Sequence, residues 1–219
     1  MLAMTARHRP FHLLSILLAV LLILLGACGK DDKQSAIPPG ASVLAIGDSV
    51  TFGTGAGKGQ DFPAQLAVMT RWTIHNHGIP GDTAAGVNER IAASLAETQP
   101  TLVLLEIGGN DFLRQTPETE VKERIRAIIK QIRSQGIPVV LVAVPQFSPL
   151  GAVLGRLPDA PLYAELGREE QVAVVPDVLG DVLSENELKA DAIHPNGAGY
   201  KRMAEGIADG LTRAGYYRP

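Results

Sequence analysis

Cysteine is nearly absent: Cys28 stands alone among 219 residues, so no disulfide can form within the chain. A surplus of positive charge is also missing. Lysine and arginine together number 20 against 23 acidic residues, giving a formal net charge of −3. The first 27 residues hold Arg7 and Arg9 and no acid, so with those two positive charges removed the rest carries about −5. Without a basic stripe there is no electrostatic footprint for a nucleic acid, and that class of partner is excluded. Aromatic residues are few at 5 %, and neither an internal repeat nor a low-complexity tract is visible. What is plentiful is glycine (23) and proline (15), as suits many turns between short elements, with 46 % hydrophobic residues for a core. The length suits one domain.

The lone cysteine has a telling position. Arg7, His8 and Arg9 make a basic start, residues 13–25 are apolar or small and uncharged, and Leu25-Gly26-Ala27-Cys28 closes the run. A basic region, an apolar core and small residues before a cut site form a secretion signal over residues 1–27. The closing tetrapeptide resembles the bacterial lipobox, which implies a diacylated Cys28 as the mature N-terminus and a protein exported and lipid-anchored to the cell envelope. Gly29, where an Asp would retain the protein at the inner membrane, points to the periplasmic face of the outer membrane. The alternative is an uncleaved membrane helix, although the uncharged stretch is at the short end of the roughly 17–25 residues a span needs. Residues 28–40 (with KDDKQSAIPPG at 30–40) read as a lipidated tether, and residues 41–219 as the folded domain.

From residue 42 onward, strand-like and helix-like segments alternate. Strands are predicted at 42–46, 72–76, 101–107, 138–144 and 172–175; TLVLLEI at 101–107 is a continuous apolar run, the pattern of a strand covered on both faces. Helices are predicted at 62–71, 82–98, 118–135 and 198–214 from apolar residues at helical spacing. This order implies βαβ units and an α/β fold, a three-layer α/β/α sandwich around a parallel sheet of about five strands. In such sheets ligands bind beyond the carboxyl ends of the strands.

Gly47-Asp48-Ser49-Val50 follows the first strand. A serine hydroxyl needs a base to take its proton, and the base needs a carboxylate to fix its tautomer. Asp191-Ala192-Ile193-His194 supplies both, three residues apart, and Pro195 disfavours helix at His194. Acyl transfer also needs donors for the developing oxyanion. Gly81, at the end of Asn76–Asp82, and Asn110, in Gly108-Gly109-Asn110-Asp111, follow the second and third strands and can supply them beside the Ser49 N–H.

These four blocks, GDSV, PGDT, GGND and DAIHPN, stand in the order found in SGNH (GDSL-type) hydrolases, and over residues 42–212 the chain resembles that superfamily, nearest its bacterial arylesterase, thioesterase and lysophospholipase group. The resemblance implies a flavodoxin-like sheet, Ser49 as nucleophile, Asp191 and His194 completing the triad, and Ser49, Gly81 and Asn110 as the oxyanion hole. It implies neither metal nor cofactor. The expected reaction is hydrolysis of aryl, short-acyl or lysophospholipid (thio)esters through an acyl-serine, with small-molecule or lipid esters as partners. A polysaccharide O-acetylesterase and a non-catalytic acyl- or glycan-binding lipoprotein are the alternatives. Residues 145–161 (PQFSPLGAVLGRLPDAP) depart from the group and are read as a wall of the acyl pocket or as core packing, through Phe147, Leu150, Val153, Leu154 and Leu157.

Several neighbouring features carry blander readings. Asp48 and Asp111 are taken to brace their own turns. His75 and His77 have no partner at metal-ligand spacing. The glycines of residues 53–59 fit neither the P-loop nor the dinucleotide pattern, and Ser49 lacks the GxSxG context of α/β-hydrolases.

Overall fold

The computed structural model describes residues 36–146 and 157–219. Cys28, the signal segment and most of the tether therefore lie outside the described residues, as do Phe147, Leu150, Val153 and Leu154. Residues 34–219 form one compact unit.

Five parallel strands make one sheet in the order β2-β1-β3-β4-β5, with β1 at Ser42–Gly47, β2 at Thr73–Gly78, β3 at Leu102–Glu106, β4 at Val139–Val142 and β5 at Ala173–Val175. Every residue of β3 and β4 is buried, which explains their unbroken apolar runs. β2 is an exposed edge, and its polar composition TIHNHG (Thr73, His75, Asn76, His77) suits that place. The chain leaves β1 for β2 on one side and returns to β3 on the other, so the switch point lies between β1 and β3. Crevices for ligands open there, beyond the carboxyl ends.

The helices are α1 (Ser49–Phe52), α2 (Phe62–Thr70), α3 (Ala84–Thr98), α4 (Gly109–Leu113), α5 (Glu118–Ser134), α6 (Pro161–Glu169), α7 (Val178–Ser184) and α8 (Gly197–Arg213). α8 packs with α2 and α7, while α5 packs with α3 and α6, giving two helical layers around the sheet. α5 shows why such a segment is a helix: Val121, Ile125, Ile128, Ile129 and Ile132 fall on one buried stripe, with Glu118 and Glu120 at its positive end and Arg133 at its negative end. Asp61, Thr83 and Asn196 cap α2, α3 and α8 with side-chain oxygens.

The folded part begins earlier than residue 41. Ile37 packs on the core, its N–H donates to the Tyr216 carbonyl (2.8 Å), and its carbonyl accepts from Trp72 Nε1 (3.2 Å). The end of the predicted tether is thus part of the domain, held at the amino ends of the strands. Leu157, the described member of the 145–161 apolar set, is half-buried and packs against the core beside α7. No helix among the described residues is long and apolar enough to cross a membrane.

Candidate active site

At the carboxyl end of β1 the chain turns at once into α1, with Asp48 as its N-cap: Asp48 Oδ1 accepts from the Val50 N–H at 2.9 Å. This turn lifts Ser49 to the first helical position, where no residue of the preceding turn covers its hydroxyl. Across the cleft, Asp191 closes a tight loop. Its Oδ1 accepts from the N–H groups of Ile193 (2.9 Å) and His194 (2.8 Å), and Ala190 donates to the His194 carbonyl (2.9 Å). Asn196 then caps α8. The loop at residues 53–59 buttresses this segment: Tyr200 in α8 donates to the Thr54 carbonyl at 2.8 Å.

The outcome is one chain of hydrogen bonds. Ser49 Oγ lies 2.9 Å from His194 Nε2, and His194 Nδ1 lies 2.8 Å and 3.0 Å from the two Asp191 oxygens. Burial acts upward on Asp191, yet the His194 ring and the two backbone donors hold its carboxyl below its ordinary value. An ionised Asp191 accepts a hydrogen bond from Nδ1–H, which keeps the ring proton on Nδ1 and leaves the Nε2 lone pair facing the serine hydroxyl.

The residues on the other side of Ser49 are held by different means. Ile79-Pro80-Gly81-Asp82 is a turn closed by the Asp82 N–H on the Ile79 carbonyl (3.0 Å), with Pro80 second and Gly81 third at φ 81°. That is a type II turn, whose third position needs the left-handed conformation that glycine adopts without cost. Asn110, in the first turn of α4, donates through Nδ2 to the Asp82 carbonyl (2.9 Å) and to Asp48 Oδ2 (3.2 Å). The amide thereby joins the Gly81 turn to the Ser49 turn. Among the described residues, the N–H groups of Ser49 and Gly81 have no acceptor. A tetrahedral oxyanion beside Ser49 would meet these two donors together with the Asn110 amide, once its longer bond to Asp48 is released.

Beneath the serine is a pair of carboxyls. Glu106, the last residue of β3, is buried; Thr51 Oγ1 donates to its Oε2 (2.8 Å) and its Oε1 has no hydrogen-bond partner among the described residues. Burial first, and the neighbouring Asp48 second, push Glu106 well above the usual carboxylate range. Burial also pushes Asp48 up to about 6, against the opposing pull of the Val50 N–H, His194 and Asn110. Two acids so close in a dry site resist carrying two charges. Glu106 was missed in the sequence reading; its signal is a lone acid ending an otherwise apolar strand. Asp48 does brace its turn, as read. Asp111 is fully buried and accepts from the Ala84 N–H (2.9 Å), with Arg124 at 3.3 Å, so it fastens α4 to α3 and α5. His77 pairs with Ser94 (3.0 Å), and among the described residues no group of His, Cys, Asp or Glu could hold a metal ion.

The cleft over Ser49 is shallow and opens to solvent, and Val50, Leu113, Val144, Leu179 and Ile193 give it apolar walls. Four of the five candidate residues thus meet in hydrogen-bonded contact with another named group of the site, and Gly81 adjoins through its turn. Cys28 lies outside the described residues.

The model of the GDSL-like Lipase/Acylhydrolase family matches residues 45–202. The esterase TesA of Pseudomonas aeruginosa is 30 % identical over 177 residues, covering 76 % of this chain and 85 % of its own. An Escherichia coli K12 enzyme named thioesterase 1/protease 1/lysophospholipase L1 is 27 % identical over 173 residues, covering 78 % and 83 %. The crystal structure of TesA superposes with a TM-score of 0.68 at 28 % identity, covering 78 % of this chain and 98 % of the other.

Proposed function

The chain belongs to the GDSL-like lipase/acylhydrolase family and is a serine esterase, and from that premise we propose that Ser49 carries the acyl group during turnover and that the substrates are aryl, short-acyl and lysophospholipid esters or thioesters. The observation behind this reading is the continuous hydrogen-bonded chain Ser49–His194–Asp191. His194 Nε2 takes the hydroxyl proton as Oγ attacks the carbonyl carbon, and the bond to the leaving oxygen or sulfur breaks as His194 returns that proton to it. Water then repeats the attack on the acyl-serine, with His194 as base. The Ser49 and Gly81 N–H groups and the Asn110 amide hold the oxyanion at both stages. No step asks for a metal or a cofactor.

The apolar walls of the cleft suit an acyl chain. The names of the two curated relatives, an esterase and a thioesterase/lysophospholipase, agree with that substrate class. We further propose that residues 1–27 are a lipoprotein signal peptide and Cys28 the acylated N-terminus, with Gly29 favouring an anchor at the periplasmic face of the outer membrane. The support is the basic start, the apolar core and the LGAC tetrapeptide. The test has two arms. An alkyl fluorophosphonate should add one equivalent to the protein, at Ser49 by peptide mass. Initial rates across acetyl to decanoyl aryl esters and the matching thioesters should then give the chain-length profile. Labelling at another residue, or none, would overturn the reading.

A further inference from the structure

We propose that Arg90 is a positioning residue for the oxyanion hole, tying the Gly81 turn to the end of the nucleophile's strand. The inference rests on the serine-esterase reading above and adds a residue to its machinery.

Arg90 lies in α3, outside the cleft lining, yet its guanidinium reaches two loops of the site at once. Nε donates to Asp82 Oδ2 at 2.8 Å, and Nη2 donates to the Gly47 carbonyl at 3.0 Å. Gly47 immediately precedes Asp48 and Ser49, and Asp82 immediately follows Gly81. The same Gly47 carbonyl accepts from the Ile79 N–H at 3.1 Å, at the first residue of the turn. The type II turn is therefore gripped at both ends against one carbonyl: Ile79 binds it directly, and Asp82 binds it through Arg90. The planar fork of a guanidinium can hold two acceptors in a fixed relation, which an ammonium cannot.

What this closed ring positions is the donor set. The Asp82 carbonyl accepts one N–H of the Asn110 amide at 2.9 Å, and that bond fixes the rotation of the amide so that its other N–H faces the Ser49 side. The Asp82 carboxylate is committed to the clamp, with Oδ1 on the Thr83 N–H (2.9 Å) and Oδ2 on Arg90. α3 leaves room for it at Gly86, where a Cβ would lie 1.9 Å from Asp82 Oδ1. The Arg90 side chain is 21 % exposed and that of Asp82 11 % exposed, so the pair is well shielded, unlike an ordinary surface ion pair.

The experiment measures kcat and KM on a soluble aryl ester, together with the inhibition constant of an alkyl boronic acid that forms a tetrahedral adduct on Ser49. Loss of alignment by a fraction of an ångström costs roughly 10- to 100-fold in rate. Arg90→Met should lower kcat by about that factor with KM within about twofold, and weaken the boronate in proportion. Arg90→Lys, able to reach one acceptor at a time, should recover part of the loss. On an Asn110→Ala background, Arg90→Met should cost less than in wild type, because the share of its effect that runs through the amide is already lost and only the Gly81 turn is left to disturb. Unchanged kcat in a folded Arg90→Met protein, or a loss that multiplies fully with that of Asn110→Ala, overturns the proposal. If Arg90→Met does not fold, Asp82→Asn takes its place, keeping the Thr83 bond while removing the charge that Arg90 grips. Should Asn110→Ala alone leave kcat unaltered, the oxyanion-hole reading fails, an outcome separable from failure of the clamp.

Discussion

Two aspartates flank the Ser49–His194 hydrogen bond, and their surroundings drive them in opposite directions. Asp48 is 2 % exposed and its carboxyl rises to about 6, with burial the largest cause. Asp191, whose side chain is 53 % exposed, is held below its ordinary value by the His194 ring and two backbone donors in spite of its own partial burial. The side of the site that carries Ser49 and Asn110 is built into the sheet, backed by Glu106 and Asp111 in the core. The His194 side is a surface loop folded on itself. Local sequence is enough to make the second, whereas the first depends on three strands ending at the same level. A base must titrate and move its proton, so it is served by a carboxylate that stays ionised near water. A set of oxyanion donors must not move, so it is served by burial.

The contrast is broken most severely at the serine itself. Ser49→Ala should reduce aryl-ester kcat by on the order of 10⁵–10⁶ while leaving the melting temperature nearly unaltered, because the hydroxyl bonds only to His194 in this site. Persistence of turnover in a preparation free of wild-type enzyme would remove Ser49 from its role. Asp191→Asn comes next. An amide at this position can donate to Nδ1, which forces the ring proton to Nε2 and turns the acceptor of the serine proton into a donor. Activity should fall by about 10⁴-fold at neutral pH, with KM little affected. A loss confined to KM would make Asp191 a binding group.

On the buried side the effects shrink, because donors share their task. Asn110→Ala should lower kcat by roughly 10²–10³ with a small change in KM, as removal of one donor leaves the Ser49 and Gly81 N–H groups in place. A change in KM alone would make Asn110 a substrate contact.

What was legible in the sequence follows the same division. Asp191 and His194 are joined by hydrogen bonds spanning three residues, and Asp48 accepts from Val50 two residues on, in the turn that carries Ser49, so short motifs carry them. The buried strands β1, β3 and β4 announce themselves as apolar runs. The partners of Arg90 and Glu106 gave no such signal: Arg90 meets Gly47 across 43 residues and Glu106, marked only as a lone acid in an apolar strand, meets Thr51 across 55, distances that no local pattern spans. α1 and α4 are four and five residues long, shorter than two helical turns, and have no periodicity to show. The edge strand β2 runs on to Gly78, two residues past its predicted end, because its polar residues pair with β1 through backbone alone. Gly81 was read only as a donor, whereas Pro80-Gly81 also marks the turn at Ile79–Asp82, a dipeptide whose meaning is conformational as much as chemical.

The smallest effect expected is the most direct probe of the buried side. Asp48→Asn keeps an acceptor for the Val50 N–H and the volume of the side chain, and mimics the protonated carboxyl. In the folded protein Asp48 holds its proton up to about 6, against an ordinary value of 3.8. A carboxyl raised in this way contributes stability that is complete below pH about 4 and is lost as pH rises through about 6, because ionisation is then easier in the unfolded chain. The asparagine suffers no such loss. Wild type and Asp48→Asn should therefore differ by a fixed amount near pH 4, reflecting only the altered bond to Asn110. By pH 8 the variant should gain on the order of 1–3 kcal/mol relative to wild type, a few degrees in melting temperature. Glu106 titrates in the same pocket and is pushed upward by Asp48, so removing the Asp48 charge should also ease its ionisation. For that reason Glu106→Gln belongs beside it: each single variant should gain at high pH, and the double variant should gain less than both together, since the two acids share one repulsion. Melting curves for the four proteins between pH 4 and pH 8 measure this directly. Parallel curves for wild type and Asp48→Asn would mean that the Asp48 charge costs nothing where it stands. The two sides of the site would then differ in exposure alone.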